Sequence, residues 1–273
     1  MLIPLVIAAL FLLPVNLFGY LIIVISTLAA WEWSQFLGWK QQYKRIIITI
    51  LFFIILLVLQ LSLDDLTTIS KKPIIIYILL AGFIWWLIAI ILVITFHVSG
   101  KLWSRSALLK ILFGVLTILP FYCGMLALKS FNYYKSAFIG PWLILYVMLL
   151  VWSSDIGAYF FGFVFGKHKL AVHISPGKTF EGMLGGILTS IFVCWLFSIF
   201  VHGMNIPITF LIYSVFVVII SVFGDLTESM LKRNSGIKNS SNLIPGHGGI
   251  LDRIDSLTAA VPIYASLILL FFH

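Results

Sequence analysis

Charged residues are scarce in this chain. Nine acidic and seventeen basic side chains in 273 residues leave the charged share at 10%, against 62% apolar. A soluble domain carries roughly a quarter charged residues, so water is excluded as the main solvent. Crossing a hydrocarbon core of roughly 30 Å takes about 20 apolar residues, and such stretches recur from one end of the sequence to the other. Cysteine is nearly absent. Cys123 and Cys194 each lie inside an apolar run, without CxxC or Cys/His spacing. That excludes a disulfide framework and a zinc site, and both thiols read as small buried hydrophobes. The first residues, Met1 to Leu5, lack the basic region of a cleavable signal peptide, so a retained membrane segment is expected there. A formal charge of +8 does not point to nucleic acid, because the basic residues are scattered through short loops. The expected partners are the lipid bilayer, anionic head groups and nucleotide phosphates.

Apolar runs fall at about 1–13, 16–31, 46–63, 73–97, 108–128, 138–163, 183–202, 206–223 and 257–272. The first is too short to cross alone, and Pro14 with Asn16 breaks it from the second. The expectation is an all-α polytopic membrane protein of eight to nine transmembrane helices. Residues 1–135 supply N-terminal helices, and 136–273 form a catalytic region carrying a polar signature segment at 224–256. Loop charge tests this division. Lys40, Lys44, Arg45, Lys101, Arg105, Lys110, Lys167, Lys169, Lys178, Lys232, Arg233, Lys238 and Arg253 fall on one set of alternate loops; only Lys71, Lys72, Lys129 and Lys135 fall on the other. The positive-inside rule makes the first set cytoplasmic. The polar cavity is therefore expected to face the cytoplasm.

Three constellations carry chemistry. In Gly224-Asp-Leu-Thr-Glu-Ser-Met-Leu-Lys-Arg233, helical spacing puts Asp225, Glu228 and Lys232 on one face directly after an apolar span. Such a stripe is either a solvated helix end or a polar site at membrane depth. Pro245-Gly-His-Gly-Gly-Ile-Leu-Asp-Arg-Ile-Asp255 opens as a glycine-rich loop whose amides can approach phosphate, then continues into a helix carrying Asp252 and Asp255 three apart. Two acidic pairs flanking a basic, glycine-rich loop suit Mg²⁺, which takes a few carboxylates and leaves positions for phosphate oxygens. Lys232, Arg233, Lys238 and Arg253 can neutralise those phosphates, and His247 is either a phosphate donor or a structural loop histidine. Third, Asp155 interrupts an apolar span and needs a polar cavity. After it, Gly177-Lys-Thr179 resembles the end of a P-loop but fails the pattern at Val172. Lys167, Lys169, Lys178 and Thr179 remain candidates for phosphate contact.

These residues resemble the phosphatidate cytidylyltransferases, also called CDP-diacylglycerol synthases. The family signature is matched by Ser229, Lys232, Arg233, Lys238, Pro245, His247, Gly248, Gly249, Asp252, Arg253 and Asp255. The stretch from Asp155 to Lys178 and the Gly224-Asp225 pair also look like the bacterial members. One position departs: Asn239 stands where the pattern has Asp, which implies reduced activity. The resemblance implies Mg²⁺-dependent attack of the phosphate of phosphatidic acid on the α-phosphorus of CTP, giving CDP-diacylglycerol and pyrophosphate. It further implies that Asp225 and Asp252 hold the metal, with Asp255 and Glu228 as further ligands, and that a monovalent cation such as K⁺ also binds. Lys232, Arg233, Lys238, His247, Gly248, Gly249 and Arg253 would engage the triphosphate, and a homodimer is compatible with the pattern. A transporter would carry inverted repeats, and none are visible. Other lipid-phosphate transferases require acidic motifs that only Asp64-Asp65 could supply, on the predicted outer side.

Overall fold

The computed structural model describes residues 2–39, 41–63, 65–200, 208–241, 243 and 248–271. Ten α-helices appear among them: α1 Leu2–Leu12, α2 Val15–Trp33, α3 Gln42–Leu61, α4 Pro73–Ile94, α5 Phe96–Trp103, α6 Ala107–Lys129, α7 Ile139–Phe165, α8 Phe180–Phe200, α9 Ile208–Asn234 and α10 Leu251–Phe271. Eight are long and apolar enough to cross a bilayer, whereas α1 and α5 are not. The short first segment is thus a separate helix, broken where the sequence predicts it. Pro14 fits there because its ring fixes an extended-region entry to α2. One local feature departs from expectation. An antiparallel hairpin, β1 Lys169–Ala171 and β2 Ser175–Thr179, stands in the predicted all-α chain. Within the polar segment, α9 runs to Asn234 and α10 begins at Leu251, so the two acidic pairs lie on helices as their spacing predicts.

α6 and α10 are the most buried spans, and α3 is the most exposed. Exposure of Ile50, Leu51, Ile54 and Val58 on α3 would be costly in water, but it is ordinary against hydrocarbon. α10 packs against α4, α6 and α9, while α7 and α8 form the closest helix pair. Small residues permit these approaches, since tight packing and polar contacts replace the hydrophobic effect between helices in lipid. A Cβ on Gly224 of α9 would lie 2.8 Å from the Asp255 carbonyl oxygen and 2.9 Å from Ala259 Cβ on α10. Several polar atoms inside the bundle are matched between elements. Trp33 Nε1 donates to the Lys110 carbonyl at 2.9 Å, Lys110 Nζ donates to the Phe36 carbonyl at 2.9 Å, and Trp85 Nε1 donates to Thr117 Oγ1 at 3.0 Å. Lys129 Nζ donates to the Leu10 carbonyl, satisfying the end of α1.

Alternation of the spans brings the loop after α2, helix α5, the hairpin and the segment between α9 and α10 to one face. Contacts among them support this: Ser235 Oγ donates to the Phe36 carbonyl at 3.2 Å, and Arg233 Nε donates to the Ile174 carbonyl at 3.1 Å. A larger side chain at position 224 would push apart the two helices that carry the acidic residues. Gly224→Val is expected to destabilise the protein by about 1–3 kcal/mol, as overpacking does. Thermal unfolding in detergent measures this, and an unchanged midpoint would show that α9 and α10 are not held at that spacing.

Candidate active site

Continuation of α9 past its apolar stretch places Asp225, Glu228 and Lys232 one turn apart on the same helix face, as the spacing predicts. Lys232 Nζ lies 2.9 Å from Glu228 Oε2 and 2.8 Å from Asp252 Oδ1 on α10. One ammonium therefore serves two carboxylates. Asp225 has a different partner, Lys178 of β2, whose Nζ is 2.6 Å from Oδ2, and Ser229 Oγ donates to its Oδ1 at 3.2 Å. Exposure separates the two clusters. The Lys178 and Asp225 side chains are 28% and 30% exposed, whereas Glu228 is 3% exposed. The outer pair can be approached by a ligand; the inner one is built into the packing, where losing either partner would strand a buried charge.

Asp252 also organises the loop before α10. Its carboxylate accepts from the backbone N–H of Ser240 at 3.1 Å and of Gly249 at 3.0 Å. Beneath that loop lies a residue that the sequence analysis did not single out. Glu32, at the C-terminal end of α2 and fully buried, accepts four hydrogen bonds: from Ser240 Oγ at 2.9 Å, Ser241 Oγ at 2.5 Å, Ile250 N at 2.9 Å and Leu251 N at 2.6 Å. The two amides stand at the start of α10, Ile250 just before it and Leu251 as its first residue, so Glu32 caps that helix from another helix, at the positive end of the dipole. Gly249 is fixed by the same packing. A Cβ there would lie 1.9 Å from Ser240 Oγ and 2.6 Å from Glu32 Oε2. A lone Glu flanked by Trp31 and Trp33 at a span end gives no local signal of this role; only its charge within an apolar run marks it.

A cavity of about 410 Å³ opens beside the outer pair, lined by Asp155, Lys178, Thr179 and Asp225, with Tyr159, Leu170 and Met183. Asp155 lies within electrostatic reach of Lys178 and Asp225, and Asp255 within reach of Asp225, Glu228 and Lys178. The predicted carboxylates therefore converge. Other predicted residues have structural partners or stand apart, though Thr179 also lines the cavity. Thr179 is buried, and its Oγ1 accepts from Gly182 N at 3.1 Å, capping α8. Arg233 ties the hairpin to α9 through the Ile174 carbonyl. The backbone N–H of Lys167 donates to Glu181 Oε2 at 3.1 Å. Lys238, Asn239 and Arg253 are exposed, Gly248 takes φ +83° in the loop, and His247 lies outside the described residues.

The cytidylyltransferase family profile matches residues 1–271. A phosphatidate cytidylyltransferase of Haemophilus influenzae is 42% identical over 97% of this chain and 94% of its own length. One of Pseudomonas aeruginosa is 39% identical over 98% of this chain and 93% of its own length. One of Bacillus subtilis is 38% identical over 58% of this chain and 59% of its own.

Glu32→Ala would leave two hydroxyls and two amides without their acceptor. Losing a buried charged acceptor costs on the order of 2 kcal/mol, and 1.4 kcal/mol is a tenfold change in an opening equilibrium. Amide exchange in a peptide covering Gly249 to Ser256 is therefore expected to accelerate more than tenfold, with overall helix content retained. Unchanged protection there would show that Glu32 does not hold the loop.

Proposed function

The chain belongs to the cytidylyltransferase family, and we propose that it transfers the cytidylyl group of CTP to phosphatidic acid, releasing CDP-diacylglycerol and pyrophosphate. The observation that carries this reading is the cavity where Lys178 meets Asp225 beside a bank of further carboxylates. Oxygen donors for a hard cation stand there next to ammonium groups for phosphate. Asp155, Asp225, Glu228, Asp252 and Asp255 outnumber the lysines paired with them, Lys178 and Lys232. Among the described residues, no three His, Cys, Asp or Glu groups form a ready-made metal cluster. The donor set is nevertheless all oxygen, as Mg²⁺ prefers, and Glu228 Oε1 is buried without a hydrogen-bond partner. We assign the metal to Asp225 and Asp252, with Asp255 and Glu228 beside them and a monovalent cation such as K⁺ as a second ion. Bound Mg²⁺ supplies charge neutralisation and Lewis acidity at the phosphates.

The remaining roles fall to the chain itself. Asp225, Glu228 and Asp252 would hold the cation, and Lys178 and Lys232, which pair with these carboxylates here, would then be available to phosphate. Lys167, Lys238, Arg253 and His247 belong to the basic rim for the triphosphate, while Arg233 positions the hairpin. A phosphate oxygen of phosphatidic acid attacks the α-phosphorus in line, one P–O bond forms, and the bond to pyrophosphate breaks. Positioning and electrostatics suffice for such a transfer, without a covalent enzyme intermediate. Asn239 is exposed, and the hydrogen bonds that anchor the loop run through Ser240 and Ser241 instead. We place the site at the cytoplasmic face of a bacterial inner membrane, on the side where the loops carry most of the basic residues.

Purified protein in detergent with labelled CTP, phosphatidic acid and Mg²⁺ is expected to yield lipid-soluble cytidine. Asp225→Ala and Asp252→Ala should each abolish turnover without multiplying in the double variant, because either loss disables the same unit. Retention of more than about a tenth of the activity, a loss under roughly 1.4 kcal/mol, would remove either residue from an essential role. Orientation has its own test. Cys123 and Cys194 are buried, so a cysteine placed at exposed Lys238 should dominate labelling. An impermeant maleimide is expected to reach it in inverted vesicles and not in intact spheroplasts; the reverse would overturn the orientation.

A further inference from the structure

A second cavity, of about 440 Å³, adjoins the first and shares Leu170 and Met183 with it. Its other walls are apolar, including Val93, Ile94, Phe180, Ile219 and Phe223. At its far end the character changes. Phe96, His97 and His173 also border a recess of about 370 Å³ lined by Lys101, Ser104 and Asn234. The two imidazole rings stand 5.4 Å apart, centroid to centroid, with planes tilted by 55°. His97 and Lys101 are one turn apart on α5, so both present donors on one side of that short helix. His97, His173 and Lys101 are all exposed, and no carboxylate lines the recess among the described residues. Around them Val98, Leu102 and Val172 are 70%, 78% and 59% exposed. An interfacial helix showing apolar side chains beside basic ones matches the boundary between acyl chains and head groups.

Resting on the function proposed above, we propose that this pair of cavities is the docking site for the phosphatidic acid acceptor. The acyl chains occupy the apolar cavity, and the phosphate monoester sits between His97, His173 and Lys101 before passing to the carboxylate cluster. Charge complementarity selects this occupant. Two facing imidazoles and an ammonium can donate to several oxygens of a terminal, doubly ionised phosphate at once, whereas a zwitterionic diester brings a cation into the same basic recess. Leu170 and Met183 line both cavities, so this site abuts the cavity of Lys178 and Asp225.

Two measurements test the proposal. In mixed micelles, His97→Ala/His173→Ala is expected to raise KM for phosphatidic acid about tenfold while KM for CTP stays within twofold, and Lys101→Ala is expected to act in the same direction. An unmoved KM for phosphatidic acid, or equal changes for both substrates, would overturn it. The second measurement needs no turnover, so its result separates this proposal from the assignment of the reaction. A photoactivatable phosphatidic acid analogue is expected to cross-link the wild-type segments around 93–97 and 170–174. Excess phosphatidic acid should compete and phosphatidylcholine should not, with labelling lost in the double histidine variant. Equal competition by phosphatidylcholine would show an unselective lipid groove, and competition by inorganic phosphate alone would show a free-anion site; either result overturns the proposal. Because both histidines are exposed, the variants should keep the wild-type unfolding midpoint, which confirms that a loss of labelling comes from the site.

Discussion

Glu32 is the contact on which the order of the polar face depends. A loop at the edge of a bilayer has few water molecules to satisfy its backbone, and the first turn of a helix always carries unpaired amides. One buried carboxylate meets both needs by accepting from Ser240, Ser241, Ile250 and Leu251. With the loop fixed there, Asp252 can close over the amides of Ser240 and Gly249 and still reach Lys232. Lys232 in turn fixes Glu228, and the α9 face that carries Glu228 also presents Asp225 to the cavity. The chain of contacts runs from an N-terminal helix through the loop to the reacting region.

That arrangement is electrostatically asymmetric. Carboxylates exceed their paired ammonium groups, at the cavity where Asp155 and Asp225 meet Lys178 and deeper, where Glu228 and Asp252 share Lys232 and Asp255 lies within reach of Glu228. A protein interior tolerates such an excess only when a cation or protons balance it, and a bound cation in turn attracts the phosphates of a nucleotide. The two lysines fit either condition. They neutralise carboxylates in this structure, and under the proposed reading they would face phosphate when a cation is bound.

The sequence made some of this visible and hid the rest for physical reasons. Spans were legible because hydrocarbon demands continuous apolar runs, and the break at Pro14 because proline, lacking an N–H and with φ fixed, suits the entry to a helix. The face shared by Asp225, Glu228 and Lys232 followed from helical period alone. The hairpin at Lys169–Thr179 was hidden: its five-residue strand contains Ser, Pro and Gly, with no alternating apolar pattern. Thr179 lines the cavity as a candidate phosphate contact, and the Gly-Lys-Thr run gave no sign that its Oγ1 also caps α8. Glu32 was hidden most completely. Its partners lie more than 200 positions away, beyond anything that periodicity or motif spacing can register.

That separation also bears on how the molecule is made. Glu32 enters the bilayer with the second helix, whereas the amide of Leu251 exists only after 219 further residues have been joined. At about 5–20 residues per second, that interval is roughly 10 to 40 s. Throughout it the nascent chain holds a carboxylate at the edge of the lipid without the donors that will surround it. Only when the start of α10 has been made are all the donors present, so the surroundings of Glu32 can close no earlier than that.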